Sequence, residues 1–275
     1  MNIALVISTH SEYSDLWQPL FERFKKYLKI TFSSVYICTD TKSESEKILK
    51  CNNTLSIKKI FYYEDSYSYP MRFKEVLNEI NEEYVLIWHD NNILVNDTDI
   101  NGFNEILKFL EEYQPDQLRL HAGSARVPGF NIKGDIYKMH AYDVFKYSVY
   151  PTIWKKNSIQ KLFELFPNKI YREIEGGDVQ NYTSTLNNYF IWNLEKSPPR
   201  GCGTELTPHI IKYIHFVVER QWAERWDKDE LIILRDEFNI NLSLRGKFDV
   251  SCFNSHLPEC YNNYKQNHIC NIIIS

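Results

Sequence analysis

The first third of the chain repeats one arrangement: a short apolar run that ends in polar residues, then apolar positions at helical spacing. Ile3–Ile7 has the pattern of a buried strand and ends in Ser8-Thr9-His10. Leu16, Trp17, Leu20, Phe21, Phe24 and Leu28 then follow at helical spacing, with Ser14 or Asp15 available as a cap. Ser34–Cys38 reads as a second strand, before Thr39-Asp40, and Ile57–Tyr62 as a weaker third. Pro70 stands at a favoured first-turn position ahead of Phe73, Val76, Leu77 and Ile80. Tyr84–Trp88 is a fourth strand, ending in His89-Asp90-Asn91-Asn92, and Asp99 can cap a helix carrying Phe103, Ile106, Leu107 and Leu110. This alternation predicts an α/β fold: a Rossmann-type αβα sandwich around a mostly parallel sheet.

Beyond residue 115 the pattern loosens. Gln117–His121 reads as another strand, Gly123–Lys138 as a functional loop, and Tyr142–Ile153 as an antiparallel strand pair. Ser158 is placed to cap a short helix that Pro167 stops, and a further helix should follow Glu175-Gly176-Gly177-Asp178. Ile210–Val218 is β-rich, and Asp227 with Glu230 has capping-box spacing before Leu231–Phe238. No linker-like tract or internal repeat interrupts the chain. We therefore expect one domain over residues 1–275, with a regular half at 1–115, a less regular half at 116–245 and a tail at 246–275.

Composition narrows the function classes. At 275 residues the chain can bury a core large enough to need no disulfide or metal staple. A net charge of −4 argues against a dedicated nucleic-acid binder. The opening has no basic segment before its short apolar run, and no stretch reaches membrane-span length, so a cytoplasmic protein without transmembrane segments is expected. Peripheral membrane contact is compatible with this. The six cysteines (Cys38, Cys51, Cys202, Cys252, Cys260 and Cys270) are dispersed and read as reduced thiols. Cys252, Cys260 and Cys270, near His256 and His268, are spaced too widely for a compact zinc knuckle.

In open α/β sheets ligands bind beyond the carboxyl ends of the strands. That rule selects Thr9, His10, Asp40 and Asp90-Asn91-Asn92. The glycine turns of dinucleotide-binding and P-loop proteins are absent, as are GxSxG and HExxH. Carboxylates and amides at strand ends suit a nucleotide, sugar hydroxyls and a divalent metal.

These residues carry a resemblance. Ala4–His10, Tyr36–Asp40, Met71-Arg72-Phe73 and Glu83–Asn92 are similar to the GT-A glycosyltransferases, and Tyr150–Lys156, Glu173–Glu175 and Tyr213–Val218 follow the order seen in small bacterial and viral members. The resemblance implies a donor half that holds a nucleoside-diphosphate sugar and a more irregular acceptor half. It implies transfer to a glycan or glycolipid hydroxyl, preferably by inversion. Thr9, His10, Asp40, Arg72, Asp90 and Asn92 would line the donor site, with Asp40 near the base or ribose. Asp90 and Asn92 stand where that family carries its DxD motif, and His215 is a further candidate ligand for Mn²⁺ or Mg²⁺. An amide at position 92 contributes no charge and should weaken such a site. Arg72 and Lys74 offer metal-free neutralisation of the diphosphate, although Arg72 equally fits a solvated helix position. Glu175 and Asp178 are the candidate bases, Glu173 the reserve, and Asp178 alternatively an N-cap. Tyr150, Trp154, Trp192, Trp222 and Trp226 are either sugar-stacking rings or core. Two rival readings are a catalytically degenerate carbohydrate- or partner-binding domain and a sugar nucleotidylyltransferase.

Overall fold

The computed structural model describes residues 1–245 except 41, 44, 53, 121–129, 141–145, 172, 194, 197–207, 219 and 223–227. The tail 246–275, Trp226, Asp227, four of the six cysteines and the first part of the Gly123–Lys138 loop lie outside the described residues.

The strands of the first half are β1 (Ile3–Ser8), β2 (Ser34–Thr39), β3 (Ile57–Tyr62) and β4 (Tyr84–His89), with the short β5 (Asn92–Leu94) next. Helices α1 (Trp17–Tyr27), α2 (Ser45–Cys51), α3 (Tyr69–Glu79) and α4 (Ile100–Tyr113) run between and after them. The second half adds β6 (Gln117–Arg119), β7 (Asn131–Lys133), β8 (Ile136–Lys138), β9 (Thr152–Lys155), β10 (Asn188–Ile191) and β11 (Tyr213–His215). Its helices are α5 (Lys156–Leu165), α6 (Gly177–Thr183) and α7 (Lys228–Phe238).

Among the described residues, nine strands form one sheet in the order β3-β2-β1-β4-β9-β6-β10-β8-β7. Strands β1, β2, β3 and β4 are mutually parallel, and β9 runs antiparallel between β4 and β6. The period-2 geometry of a strand explains the two layers. Ile3, Leu5 and Ile7 of β1 pack with Trp17, Phe21, Phe103 and Ile106 of α1 and α4 on one face. Ala4 and Val6 pack with Phe73, Val76, Ile159 and Leu162 of α3 and α5 on the other. The predicted αβα sandwich is thus the observed architecture. No helix among the described residues is long and apolar enough to cross a membrane.

Several local expectations are corrected. A 3₁₀ turn, Ser11–Leu16, precedes α1, and the His10 ring accepts from its Glu12 N–H, so neither Ser14 nor Asp15 caps the helix. Helix α2 supplies the right-handed crossover from β2 to β3; its seven residues bury only Ile48, too little periodicity to recognise. Residues 131–138, read as loop, form a β7–β8 hairpin turned by Gly134 at φ 55°. Of the expected pair in Tyr142–Ile153, residues 141–145 lie outside the description, and β9 begins only at Thr152, paired with β4 and β6. Helix α5 starts before Ser158, whose hydroxyl bonds Asp116 instead of capping.

Candidate functional site

Parallel registration brings the carboxyl ends of β1, β2 and β4 to one edge: Ser8 lies opposite both Cys38 and His89. The ladder continues one step further, through Thr9 N–H to Cys38 O and Asp90 N–H to Ser8 O. Thr9, Asp40 and Asp90 are therefore neighbours although 81 residues separate the first and last.

Asp90 is 5% exposed, and its Oδ2 accepts the Thr9 hydroxyl (2.5 Å) and the His10 N–H (3.1 Å). Burial pushes its carboxyl up to about 7, against the pull of those two hydrogen bonds and of the His10 and Arg245 charges. The Trp17 indole N–H donates to Thr9 Oγ1 at 2.5 Å. Because an indole N–H can only donate, the Thr9 hydroxyl proton is left for Asp90. The Tyr63 hydroxyl donates to Thr9 O (2.7 Å) and fixes the same residue from β3.

Asp40 accepts the Ser11 N–H at 2.7 Å and the Ser11 hydroxyl at 2.5 Å. His10 Nδ1 accepts from Glu12 N–H at 3.1 Å, which assigns the ring proton to Nε2. That nitrogen faces Asp65 Oδ1 (2.8 Å) and Asp40 Oδ2 (3.5 Å). The ligand atoms of His10, Asp40 and Asp65 lie within 4.8 Å of one another. Arg72, on α3, holds its guanidinium 4.8 Å from the Tyr63 ring centre, and Nε donates to Tyr67 O. Arg72 is half-exposed, and its charge acts on Tyr63, Tyr69 and His89 at this edge.

Asn92 opens β5, and the antiparallel β5–β11 ladder sets His215 directly opposite it, the two side chains sharing one face. Asn92 is 1% exposed, and its side-chain oxygen and nitrogen have no hydrogen-bond partner among the described residues. A buried orphan oxygen facing an imidazole, two residues from Asp90, fits the donor set of a weak cation site. Neighbouring Asn91 donates to Val217 O at 2.9 Å and so ties the motif to the chain after β11.

The second half reaches the same edge by a different route. Strand β9 runs antiparallel to β4, so the residues before it, Ser148–Tyr150, lie toward the carboxyl end of β4, where the Val149 backbone reaches His89. Glu175 Oε1 accepts the Val149 N–H at 2.9 Å. Burial raises its carboxyl above the usual range, opposed by the Val149 N–H, the Ser148 hydroxyl and the Arg119 charge. The Gln180 side chain locks this segment: it exchanges two hydrogen bonds with the Tyr147 backbone and donates a third to Glu175 O, all at 2.9 Å. Gly176 is required here, since a Cβ would lie 2.9 Å from Glu173 O.

Asp178 is not the N-cap of its helix. Gly176 is the N-cap of α6, and Asp178 is an exposed first-turn residue 3.8 Å from Lys169 Nζ. Glu173 is exposed and accepts from Ile170 N–H. Trp154 and Trp222 are core, at 1% and 2% exposure, whereas Tyr150 and Trp192 are half-buried. The Tyr150 ring lies 4.7 Å from that of His215.

Several site groups escaped the sequence reading. Arg119 is fully buried at the end of β6, near enough for its charge to act on Glu175. A cationic residue at a strand's carboxyl end was the available signal. His89 stacks on Tyr69 at 5.9 Å and 21°, with its Nε2 3.0 Å from the Tyr69 hydroxyl. Burial lowers His89 to about 4, with the Val149 backbone opposing and Arg72 assisting, so the ring is neutral near pH 7. Arg245 bonds Asp15 and Glu12 O and lies 4.8 Å over Tyr13, pinning the loop after β1. Nothing short-range in the sequence signals that contact, which spans 230 residues.

No protein family matches the chain by sequence, and no curated protein matches it. Solved structures do. The crystal structure of residues 1–349 of S. aureus TarS aligns at TM-score 0.50 and 13% identity, over 98% of this chain and 74% of that one. The same region of TarS in complex with UDP-GlcNAc aligns at 0.50 and 13%, over 97% and 73%. A longer TarS structure aligns at 0.50 and 14%, and there this chain spans 45% of the other. At such identity the likeness speaks for the fold alone: the chain has the GT-A-like αβα architecture seen in TarS.

Proposed function

We propose that this protein transfers a sugar from a nucleoside-diphosphate sugar to a hydroxyl of a glycan or glycolipid, by direct displacement with inversion. The observation that carries the reading is the meeting of two differently held carboxylates on one sheet edge. Asp90 is tied to the loop after β1, and Glu175 hangs from the Val149 N–H across β9. The TarS structure with bound UDP-GlcNAc, of similar fold, supports a nucleotide-sugar donor. In this reading residues 1–115 form the donor half and 116–245 the acceptor half.

Each group then has a task. Asp40 and His10 meet the base or ribose, and Asp90 the ribose and diphosphate side. Arg72 offsets diphosphate charge as the leaving group departs. Glu175 takes the proton of the acceptor hydroxyl; its raised affinity for protons suits a base working near neutral pH. Asp90, Asn92 and His215 are the residues that would hold Mn²⁺ or Mg²⁺, which when bound would neutralise charge on the departing diphosphate.

Thermal stability with UDP, GDP, dTDP, CDP and CMP, each with Mn²⁺ and with EDTA, tests the reading. A nucleotide at about 100 times its Kd adds roughly 2.7 kcal/mol, easily seen as a rise in Tm. A rise with one nucleoside diphosphate, followed by donor turnover with acceptor, is expected. Binding without turnover would favour the non-catalytic binding domain, to which the neutral Asn91 and Asn92 lend some support. No rise with any nucleotide sinks the proposal.

A further inference from the structure

Tyr171 sits on the turn that leads into Glu175. The Glu173 and Ile174 N–H groups both donate to Ile170 O at 3.0 Å, so the chain coils once between residues 170 and 174. Tyr171 thus lies within this turn, four residues before Glu175. The ring is braced edge-on, 5.5 Å from Tyr69 and 6.3 Å from His89, the residue that precedes Asp90. These two contacts hold the side chain toward β4, yet Tyr171 keeps 46% of its surface accessible.

The surroundings of its hydroxyl come from both halves of the molecule. Although part of the residue faces solvent, desolvation by the protein packed around it comes first in holding the proton on the phenol, followed by the charges of Glu175, Tyr69, Tyr13 and Asp90. Glu175 belongs to the acceptor side and Asp90 with Tyr13 to the donor side. A neutral phenol that feels both carboxylates retains its hydrogen and can donate it to a ligand oxygen.

Direct displacement puts the acceptor oxygen, the anomeric carbon and the leaving oxygen roughly in line. If Asp90 attends the diphosphate and Glu175 the acceptor, the transferred sugar must lie between them, and Tyr171, four residues before Glu175 and in ring contact with the residue that precedes Asp90, borders that space. We infer that Tyr171 is a donor-sugar contact, its hydroxyl donating a hydrogen bond to the sugar ring or one of its hydroxyls. This rests on the glycosyl-transfer reading and assigns a residue to the sugar within it.

The test compares nucleotides with and without their sugar, by calorimetry on the full chain with the pairs UDP and UDP-GlcNAc, GDP and GDP-mannose, and dTDP and dTDP-glucose. For the pair that binds the wild type, Tyr171→Phe should leave the bare nucleotide's Kd within about twofold. It should weaken the nucleotide sugar about fivefold to tenfold, the loss of one hydrogen bond. Tyr171→Ala should show the same selectivity, with the bare nucleotide again reporting an intact donor site. Equal losses for both ligands, or none for the nucleotide sugar, overturn the inference and leave the glycosyl-transfer reading standing. If no pair binds the wild type, that reading falls and the inference with it.

Discussion

The two halves of the sheet are built to different rules. Strands β1, β2 and β4 have six residues each and are buried almost throughout, with polar groups only at their ends. Strands β6, β9 and β10 have three or four residues and carry Gln117, Arg119, Thr152 and Asn188 into the interior. In the first half apolar periodicity sets the register, and the register alone delivers Thr9 to Asp90. In the second half individual polar contacts do that work: Gln180 holds Tyr147 to Glu175, and Asn188 donates to Thr183 O at 2.6 Å. A buried polar network specifies geometry at the cost of needing every partner in place. The first half is thus a rigid shelf, and the second an assembly of specific bonds.

Changing Glu175 tests the division of labour most severely. Glu175→Gln keeps an oxygen to accept the Val149 N–H but cannot take a proton. Turnover should fall about 10²- to 10⁴-fold, the usual contribution of a general base, while nucleotide Kd stays unchanged. Wild-type turnover should also rise with pH through a midpoint above the ordinary carboxylate value, because burial raises the Glu175 carboxyl. A variant that turns over at near wild-type rates removes the base assignment.

Asp90 should behave in the opposite way, losing function while gaining stability. Its folded value, about 7, lies above the ordinary 3.8, so between those limits the folded state binds more protons than the unfolded one. Stability therefore falls as pH rises through that window, and the burial penalty is complete above about pH 7. Asp90→Asn escapes the penalty. Its stability, read as Tm, should match the wild type near pH 4 and exceed it at pH 8, by up to on the order of 4 kcal/mol, while nucleotide binding is lost. A Tm difference that does not change with pH would place the raised affinity for protons elsewhere.

The same contrast explains what could be read from the chain. Thr9, Asp40 and Asp90 were found because a buried strand announces its own carboxyl end, and parallel strands align those ends. Glu175 is singled out by its place beside two glycines, one of which is sterically required. Arg119, Gln180, His89 and Trp17 were not, since each depends on partners whose proximity is decided only by tertiary packing. Trp17 looked like any core ring in an apolar stripe; its indole N–H on Thr9 is visible only once α1 has docked on the sheet. His215 lay between, a β-strand histidine with no local signal that the β5–β11 ladder set beside Asn92.

Asp178 supplies the smallest expected effect and the sharpest check on which carboxylate the acceptor side uses. In the sequence it is the second candidate base after Glu175, three residues away in an acidic, glycine-containing turn. The structure separates them by burial and partner: Glu175 takes a backbone N–H inside the site, while the Asp178 side chain is 76% exposed and faces Lys169. Asp178→Asn should forfeit only a few tenths of a kcal/mol of helix-terminus stabilisation. Turnover should stay within about twofold, because an exposed carboxylate paired with a surface lysine is solvated and contributes little. If Asp178→Asn instead lost a hundredfold or more in turnover while Glu175→Gln did not, the base would be the exposed carboxylate. The bonded acceptor-side network would then be scaffold, and α6 would have to turn its first residues toward Asp90 when substrate binds.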